Sequence, residues 1–339
     1  MKLLIVFIFI LISLNIISGQ SNKNLNNYYR NLYQAETFIV ENKYDSALVY
    51  YERSFSMYRE NFIPDLNNAL ICAIESDRFE LVGGYIKELL LQGVSQSYFE
   101  KKYYFKQFVK SSIFSALYEP IHSNIDSFKV KLIDTLIIRD QYPRRNNLKD
   151  SILKVDMENE QILEEYIFNN SVFPNSYEIG VQIINDTIIY DSPLSTLLVH
   201  QTRDNPLKYS NVFLLNLDKK TISPRDFFSY SKFFYGGDKN NSLGCDEGTF
   251  LIIEYYGNEA YTCCCELEKL INENRKKYYL ESLDDAIKKY RFMKTTSLPF
   301  MIENYLQGYF TILDSQFVID RKNKRKADPN YVKFIEKKR

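Results

Sequence analysis

Residues 24–93 carry one pattern twice, and that repeat constrains the fold more than anything else in the chain. Ala35, Phe38, Tyr44, Ala47, Tyr51 and Ser54 fall at spacings of 3, 6, 3, 4 and 3 residues, and Leu70, Ala73, Phe79, Val82, Ile86 and Leu89 reproduce those spacings 35 residues later. Steps of three and four keep side chains on one face of a helix, and the six-residue step crosses a turn between two helices. The small residues Ala35, Ala47 and Ala73 stand where helices approach closely, and larger ones fill the space between. Polar triplets, Glu41-Asn42-Lys43 and Ser76-Asp77-Arg78, mark the turns. The pattern predicts antiparallel helix hairpins at 24–58 and 64–92.

The first unit, AETFIVENKYDSALVYYERS, resembles the tetratricopeptide repeat, whose period is about 34 residues. The second fits less closely, because Val82 stands where a small residue is usual. Repeats bury their faces on neighbours, so two units need a further surface. Either a degenerate unit occupies 95–118, which is strongly amphipathic, or the array docks on the downstream part of the chain. The repeat region is therefore placed at 24–118. A concave groove lined by Tyr28, Tyr29, Tyr33 and Tyr50 is expected to take a protein or peptide partner in extended form.

Only 11 Gly and 9 Pro interrupt 339 residues, which favours helices over a sandwich or barrel. Lys+Arg and Asp+Glu are equal at 43 each, so no global field recruits nucleic acid or an anionic membrane. Beyond a joint at 120–126, Ser192-Pro193 and Ser223-Pro224 read as helix starts, the latter with Asp226 completing a capping box, and Ser282-Leu283-Asp284-Asp285 is another such box. Segments 149–169 and 261–276 read as helices, Ile183–Tyr190 and Phe250–Tyr256 as short strands, and 235–248 as a loop. The basic end from Arg321 reads as a solvated tail. The expected fold is mainly all-α: helical hairpins packed on a second helical domain at 126–300, with one or two short strands, and a C-terminal extension at 301–339.

The opening residues 1–19 pair Lys2 with an apolar run from Leu3 to Ile17, followed by Ser18 and Gly19. This is the pattern of a cleaved secretory signal, so an exported protein, periplasmic or secreted, is expected, with no stable membrane insertion after cleavage. The run falls short of the about 20 apolar residues of a spanning helix. Five cysteines are present, Cys72, Cys245, Cys263, Cys264 and Cys265. On a helix the last three would diverge by about 100° per residue, which does not suit a chelate. A disulfide from Cys245 to one of them is open, beside buried thiols, and no metal is expected.

The residues most like a site are polar. His200 follows Leu197-Leu198-Val199 and, on a helix over 193–204, shares a face with Asp204. Asp140, Gln141 and Arg145, with Arg203, would complete a cluster able to orient a ligand or exchange protons. The competing reading is a histidine satisfied by a carboxylate where two helices meet. No G-x-S-x-G, H-E-x-x-H, phosphate-loop or dinucleotide motif occurs, and no cofactor is expected.

The same residues carry a second resemblance. Leu136 to Gln141 with an Arg at 144 or 145, Phe173-Pro174-Asn175 with Gly180, Leu197 to Gln201 with its histidine, and Ile271 to Arg275 followed by Leu280 to Asp284 are similar, in order and spacing, to the DUF6624 family. That domain is often fused to helical repeats in exported bacteroidete proteins. At 243–248 the chain has LGCDEG where the family has a Gln-Tyr-Gly type of segment. The resemblance implies architecture and no activity. The sequence as a whole points to an exported helical-repeat scaffold or binding protein. A hydrolase or ligand-processing domain built on the His/Asp/Arg cluster is the alternative, and a structural component of a cell-envelope assembly is a third.

Overall fold

The computed structural model describes residues 24–109, 125–167, 172–184, 187–189, 194–202, 208–224, 226–227, 252–256, 259–263, 268–302, 307–310 and 331–336. The apolar segment with the cleavage point expected near Gly19, His122, Arg203, Asp204, the 235–248 stretch with Cys245, and Cys264 and Cys265 lie outside them. The fold is mainly all-α, with N-terminal helical hairpins packed on a second helical domain.

Helix α1 (24–40) and α2 (Tyr44–Phe55) make the first hairpin, and α3 (Ile63–Glu75) and α4 (Phe79–Leu91) the second. The two turns are built alike, 35 residues apart. Asn42 and Asp77 take left-handed backbone conformations, φ 57° and 56°, which Asn and Asp tolerate best after Gly. Each lets the next amide reach back to a carbonyl five residues earlier: Lys43 N to Phe38 O and Arg78 N to Ala73 O, both at 2.8 Å. These bonds cap otherwise orphaned carbonyls. The predicted small residues Ala35, Ala47 and Ala73 are all fully buried beside Leu70, Ile71 and Leu89. Full burial of a Leu or Ile contributes about 1.5–3 kcal/mol, so this face holds the hairpins together.

The segment after α4 does not continue as a regular hairpin through its described part. It forms α5 (Gln96–Lys101) and short helical turns at Tyr103–Phe105 and Lys106–Val109. Tyr98, Phe99 and Phe105 close the end of the first core with edge-on ring contacts.

The second core begins where expected. Asp126 caps α6 (Ser127–Arg145) by accepting from the amides of Phe128 and Lys129. Helix α7 (Lys149–Ile162) returns antiparallel and ends in a wider turn, Leu163–Ile167. Asn175 caps α8 (Ser176–Ile179), and α9 (Leu194–Gln201) and α10 (Ser210–Asp218) come next. Ile133, Leu136, Leu163, Phe173, Leu197, Leu198, Phe213 and Phe227 form the core between them. The Ser223–Asp226 capping box is made in both directions, and the Ser282 hydroxyl accepts from the Asp285 amide to start α12 (Leu283–Thr295) after α11 (Glu268–Lys277).

The strands go further than the sequence reading. Segment 183–190 is a hairpin of β1 (Gln182–Ile184) and β2 (Thr187–Ile189). Strand β3 (Ile252–Tyr256) falls in the expected place, but it belongs to a four-stranded sheet with β4 (Glu259–Cys263), β5 (Gln307–Phe310) and β6 (Tyr331–Glu336), in the order β5-β3-β4-β6. The helix read over 261–276 therefore starts only at Glu268. Cys263 is the last residue of β4 rather than part of a helix. The basic tail is likewise corrected at Tyr331–Glu336, which pairs antiparallel with β4. Local composition could not reveal the β3–β5 and β4–β6 pairings, because partners such as Ile252 and Gln307, or Glu259 and Glu336, lie far apart along the chain.

The chain ends its described helical part by returning to the first core. Phe300 and Ile302 pack with the hairpins, and Lys289 of α12 reaches Glu36 of α1 at 2.5 Å. Among the described residues no helix is long and apolar enough to cross a membrane.

Candidate functional site

Helix α6 buries Ile133, Leu136, Asp140 and Pro143, steps of three and four that form one stripe. A carboxylate on that stripe is the exception that defines the site. Burying an unpaired carboxylate is costly, and the structure surrounds Asp140, 0% exposed, with donors. Arg144, one helical turn on, donates from Nη1 to Asp140 Oδ1 at 2.9 Å, and Gln141 Nε2 donates to Oδ2 at 2.7 Å. The His200 Nδ1 lies 3.0 and 2.8 Å from the two oxygens.

Arg144 is shared between helices. Its Nη2 donates to both oxygens of Asp156 on α7, at 2.7 and 2.8 Å. Gln201 on α9 donates to the Asp156 carbonyl at 2.8 Å, and Asn159 donates to the Leu136 carbonyl at 3.3 Å. Helices α6, α7 and α9 are thus tied at one level around Asp140. The apolar residues Leu194, Leu197 and Leu198 bury one side of α9 and deliver His200 to its last turn. There the helix carbonyls favour a group able to carry positive charge.

An ionised carboxylate only accepts, so the imidazole proton that meets Asp140 is on Nδ1. The lone pair of the neutral ring is then on Nε2. That atom is hydrogen-bonded to no described residue, and the His200 side chain is 21% exposed. The arrangement holds an imidazole by one nitrogen and presents the other, which can accept a proton from a ligand or return one. Among the described residues no three His, Cys, Asp or Glu side chains gather closely enough to hold a metal ion.

The structure brings together His200, Asp140 and Gln141 as anticipated, and corrects the arginine. Arg145 is exposed because it lies five residues beyond Asp140 and rotates off its face; Arg144, at four, takes the place. Asp156 and Asn159 escaped the sequence reading. Their signal lay in the short α6–α7 connection, which makes the two helices antiparallel neighbours.

The tyrosine groove is also corrected. Tyr28 and Tyr29 are core residues, 0% and 3% exposed, packed edge-on at 5.1 Å, with Tyr29 stacked on Tyr279 at 5.5 Å. The Tyr33 hydroxyl is buried beneath Lys289, whose ammonium stands 4.5 Å from the ring. Burial drives the hydroxyls of all three well above the usual tyrosine range. Tyr33 and Tyr50 are both half-buried, and Tyr50 is covered by Arg53 at 4.9 Å. Tyrosine serves core and groove equally well, so spacing alone did not separate the two. Of the cysteines, Cys72 is a free, buried thiol, pushed above its ordinary range by burial.

No protein-family model, curated protein or solved structure matches this chain.

Proposed function

We propose that the chain is an exported, periplasmic or secreted, binding protein in which a tetratricopeptide-like scaffold carries a second domain with a ligand-engaging acid–base centre at Asp140 and His200. One observation carries this reading: a fully buried carboxylate, itself held by Arg144 and Gln141, holds His200 through Nδ1, and no described residue bonds Nε2 of this partly exposed side chain.

In this reading His200 takes a proton from a ligand hydroxyl or a water, Asp140 fixes the tautomer and steadies the imidazolium that forms, and Arg144 fixes Asp140. Hydrolysis is one outcome of such chemistry and tight binding of a polar ligand another; neither requires a cofactor. The export reading rests on Leu3–Ile17. The family reading is supported by position, since Asp140-Gln141 and His200, which carry the DUF6624 resemblance, lie side by side. Balanced charge favours a protein, peptide or small polar partner over nucleic acid.

Diethyl pyrocarbonate, which acylates an unprotonated imidazole nitrogen, tests the centre, with peptide mapping to separate His200 from His122. Rapid modification of His200 in the folded protein is expected. Resistance until the protein unfolds would mean that Nε2 is sealed and that His200 is structural.

A further inference from the structure

Helix α3 carries two adjacent asparagines, Asn67 and Asn68, at its centre, both 0% exposed. Asn is a poor helix-interior residue because its amide competes for backbone hydrogen bonds. Here the amides turn outward from the helix and grip another stretch of chain. Asn67 Nδ2 donates to the Pro299 carbonyl at 3.1 Å, and the Met301 amide donates to Asn68 Oδ1 at 2.6 Å.

The gripped stretch, Leu298 to Ile302, follows α12 after Thr296 turns the backbone to an extended conformation, φ −70° and ψ 142°. Its burial alternates: Phe300 and Ile302 are buried, Pro299 and Met301 half-buried. Phe300 sits between Tyr44 and Phe292, each ring 5.9 Å away. Main-chain bonds hold the segment independently of its sequence, and the Phe300 and Ile302 pockets set its register. This is the logic by which proteins bind extended peptides.

The fit is incomplete. Asn67 Oδ1 and Asn68 Nδ2 are buried with no hydrogen-bond partner, Asn68 leaning toward the Tyr51 hydroxyl without reaching bonding geometry. Leaving a buried donor or acceptor unpaired is unfavourable. The segment therefore engages two of the four polar atoms that the two amides offer.

We propose that the Asn67/Asn68 face of the hairpins is a recognition site for an extended peptide with apolar residues at alternate positions and an aromatic at the centre, and that residues 298–302 occupy it in cis. A partner peptide offering one more main-chain N–H to Asn67 and one more C=O to Asn68 displaces the internal segment. This site stands apart from the Asp140–His200 centre, and its tests touch neither residue.

The probe is a fluorescein-labelled peptide of the sequence Thr296 to Ile302, added to the full chain and followed by anisotropy. Phe300→Ala in the protein loosens the internal segment and is expected to strengthen peptide binding by about tenfold over wild type. Adding Asn68→Ala should weaken it again by about tenfold. A folded Phe300→Ala protein that ignores the peptide, or binding indifferent to Asn67→Ala and Asn68→Ala, overturns the proposal. Hydrogen exchange on the wild-type protein decides the matter even if Phe300→Ala does not fold. The Met301 amide should exchange about 100-fold faster than that of Leu70, because the segment opens by itself. Equal protection would make the segment permanent core and refute a displaceable occupant.

Discussion

Asp140 and His200 differ in what their loss leaves behind. Removing the charge of Asp140 strands Arg144 against one remaining carboxylate, and Asp140→Ala empties a fully buried position as well. We expect Asp140→Ala to cost about 3–5 kcal/mol, the range for breaking a buried ion pair. His200→Ala leaves Asp140 still held by Arg144 and Gln141, so its cost should be about 1 kcal/mol. Urea denaturation of both variants checks the order. A His200→Ala loss as large as that of Asp140→Ala would make the imidazole a structural pin. Arg145→Ala, at an exposed side chain, should be close to neutral.

At the scale of elements, two helix ends carry backbone that their residues adopt reluctantly. Lys220 follows α10 with φ 58° and Tyr279 follows α11 with φ 61°, costing about 1–2 kcal/mol each for side chains of this size. Both are offset by contacts with the hairpins. Tyr279 stacks on Tyr29 and donates to Asp218. Lys220 donates to the Glu60 carbonyl, its ammonium 4.3, 4.8 and 5.1 Å from the rings of Tyr28, Phe62 and Tyr58. Burial pulls this lysine down to about 8, against the opposing influence of Asp65 and Glu60. A folded value below the unfolded one means that the unfolded chain keeps a proton the folded protein has released. Stability from this group therefore rises with pH above about 8 and levels off near the ordinary lysine value. The stability difference between wild type and Lys220→Met should grow by about 2 kcal/mol from roughly pH 7.5 to 10. Taking the difference cancels the tyrosines and Cys72, which titrate in the opposite sense. A flat difference would show that Lys220 is not buried as a cation among these rings.

Elements also show what the sequence could convey. Asn42 and Asp77, or Ser223 with Asp226, are local devices that act within a few residues, so spacing alone located them. The Asp140–Arg144 pair is equally local, one helical turn apart, yet nothing local distinguishes Arg144 from Arg145 until the buried stripe of α6 is known. Asp156, the β4–β6 pairing and the core role of Tyr28 depend on which distant element arrives opposite them, which composition does not encode.

Across the whole molecule, the hairpins and the C-terminal helices meet over buried charge. Lys289 lies between Glu36 at 2.5 Å and Glu281 at 3.8 Å, beside Arg275, whose Nε donates to the Glu281 carbonyl at 2.7 Å. Burial works against the Lys289 ammonium, but Glu281 and Glu36 together hold it above the usual lysine range. Lys289→Met removes the ammonium beside Glu36 and leaves Glu281 to Arg275 at 3.6 Å, and should cost about 3–5 kcal/mol. Lys289→Met with Glu36→Leu should recover most of that loss, since a buried pair replaced by apolar residues is often neutral. Absence of recovery in thermal or urea melts would place the stabilising contact elsewhere. Because this seam joins the first and last described helices, both cores are expected to unfold in one transition.

The proposed function stands or falls on Asp140 holding His200 by Nδ1 while Nε2 stays open for proton exchange. Nitrogen-15 NMR of the imidazole in the folded protein reads this directly. The expected result is a ring whose Nδ1 carries the proton shared with Asp140 and whose Nε2 exchanges with solvent in the folded protein. A ring protonated on Nε2, or an Nε2 silent to solvent until the protein unfolds, would contradict it.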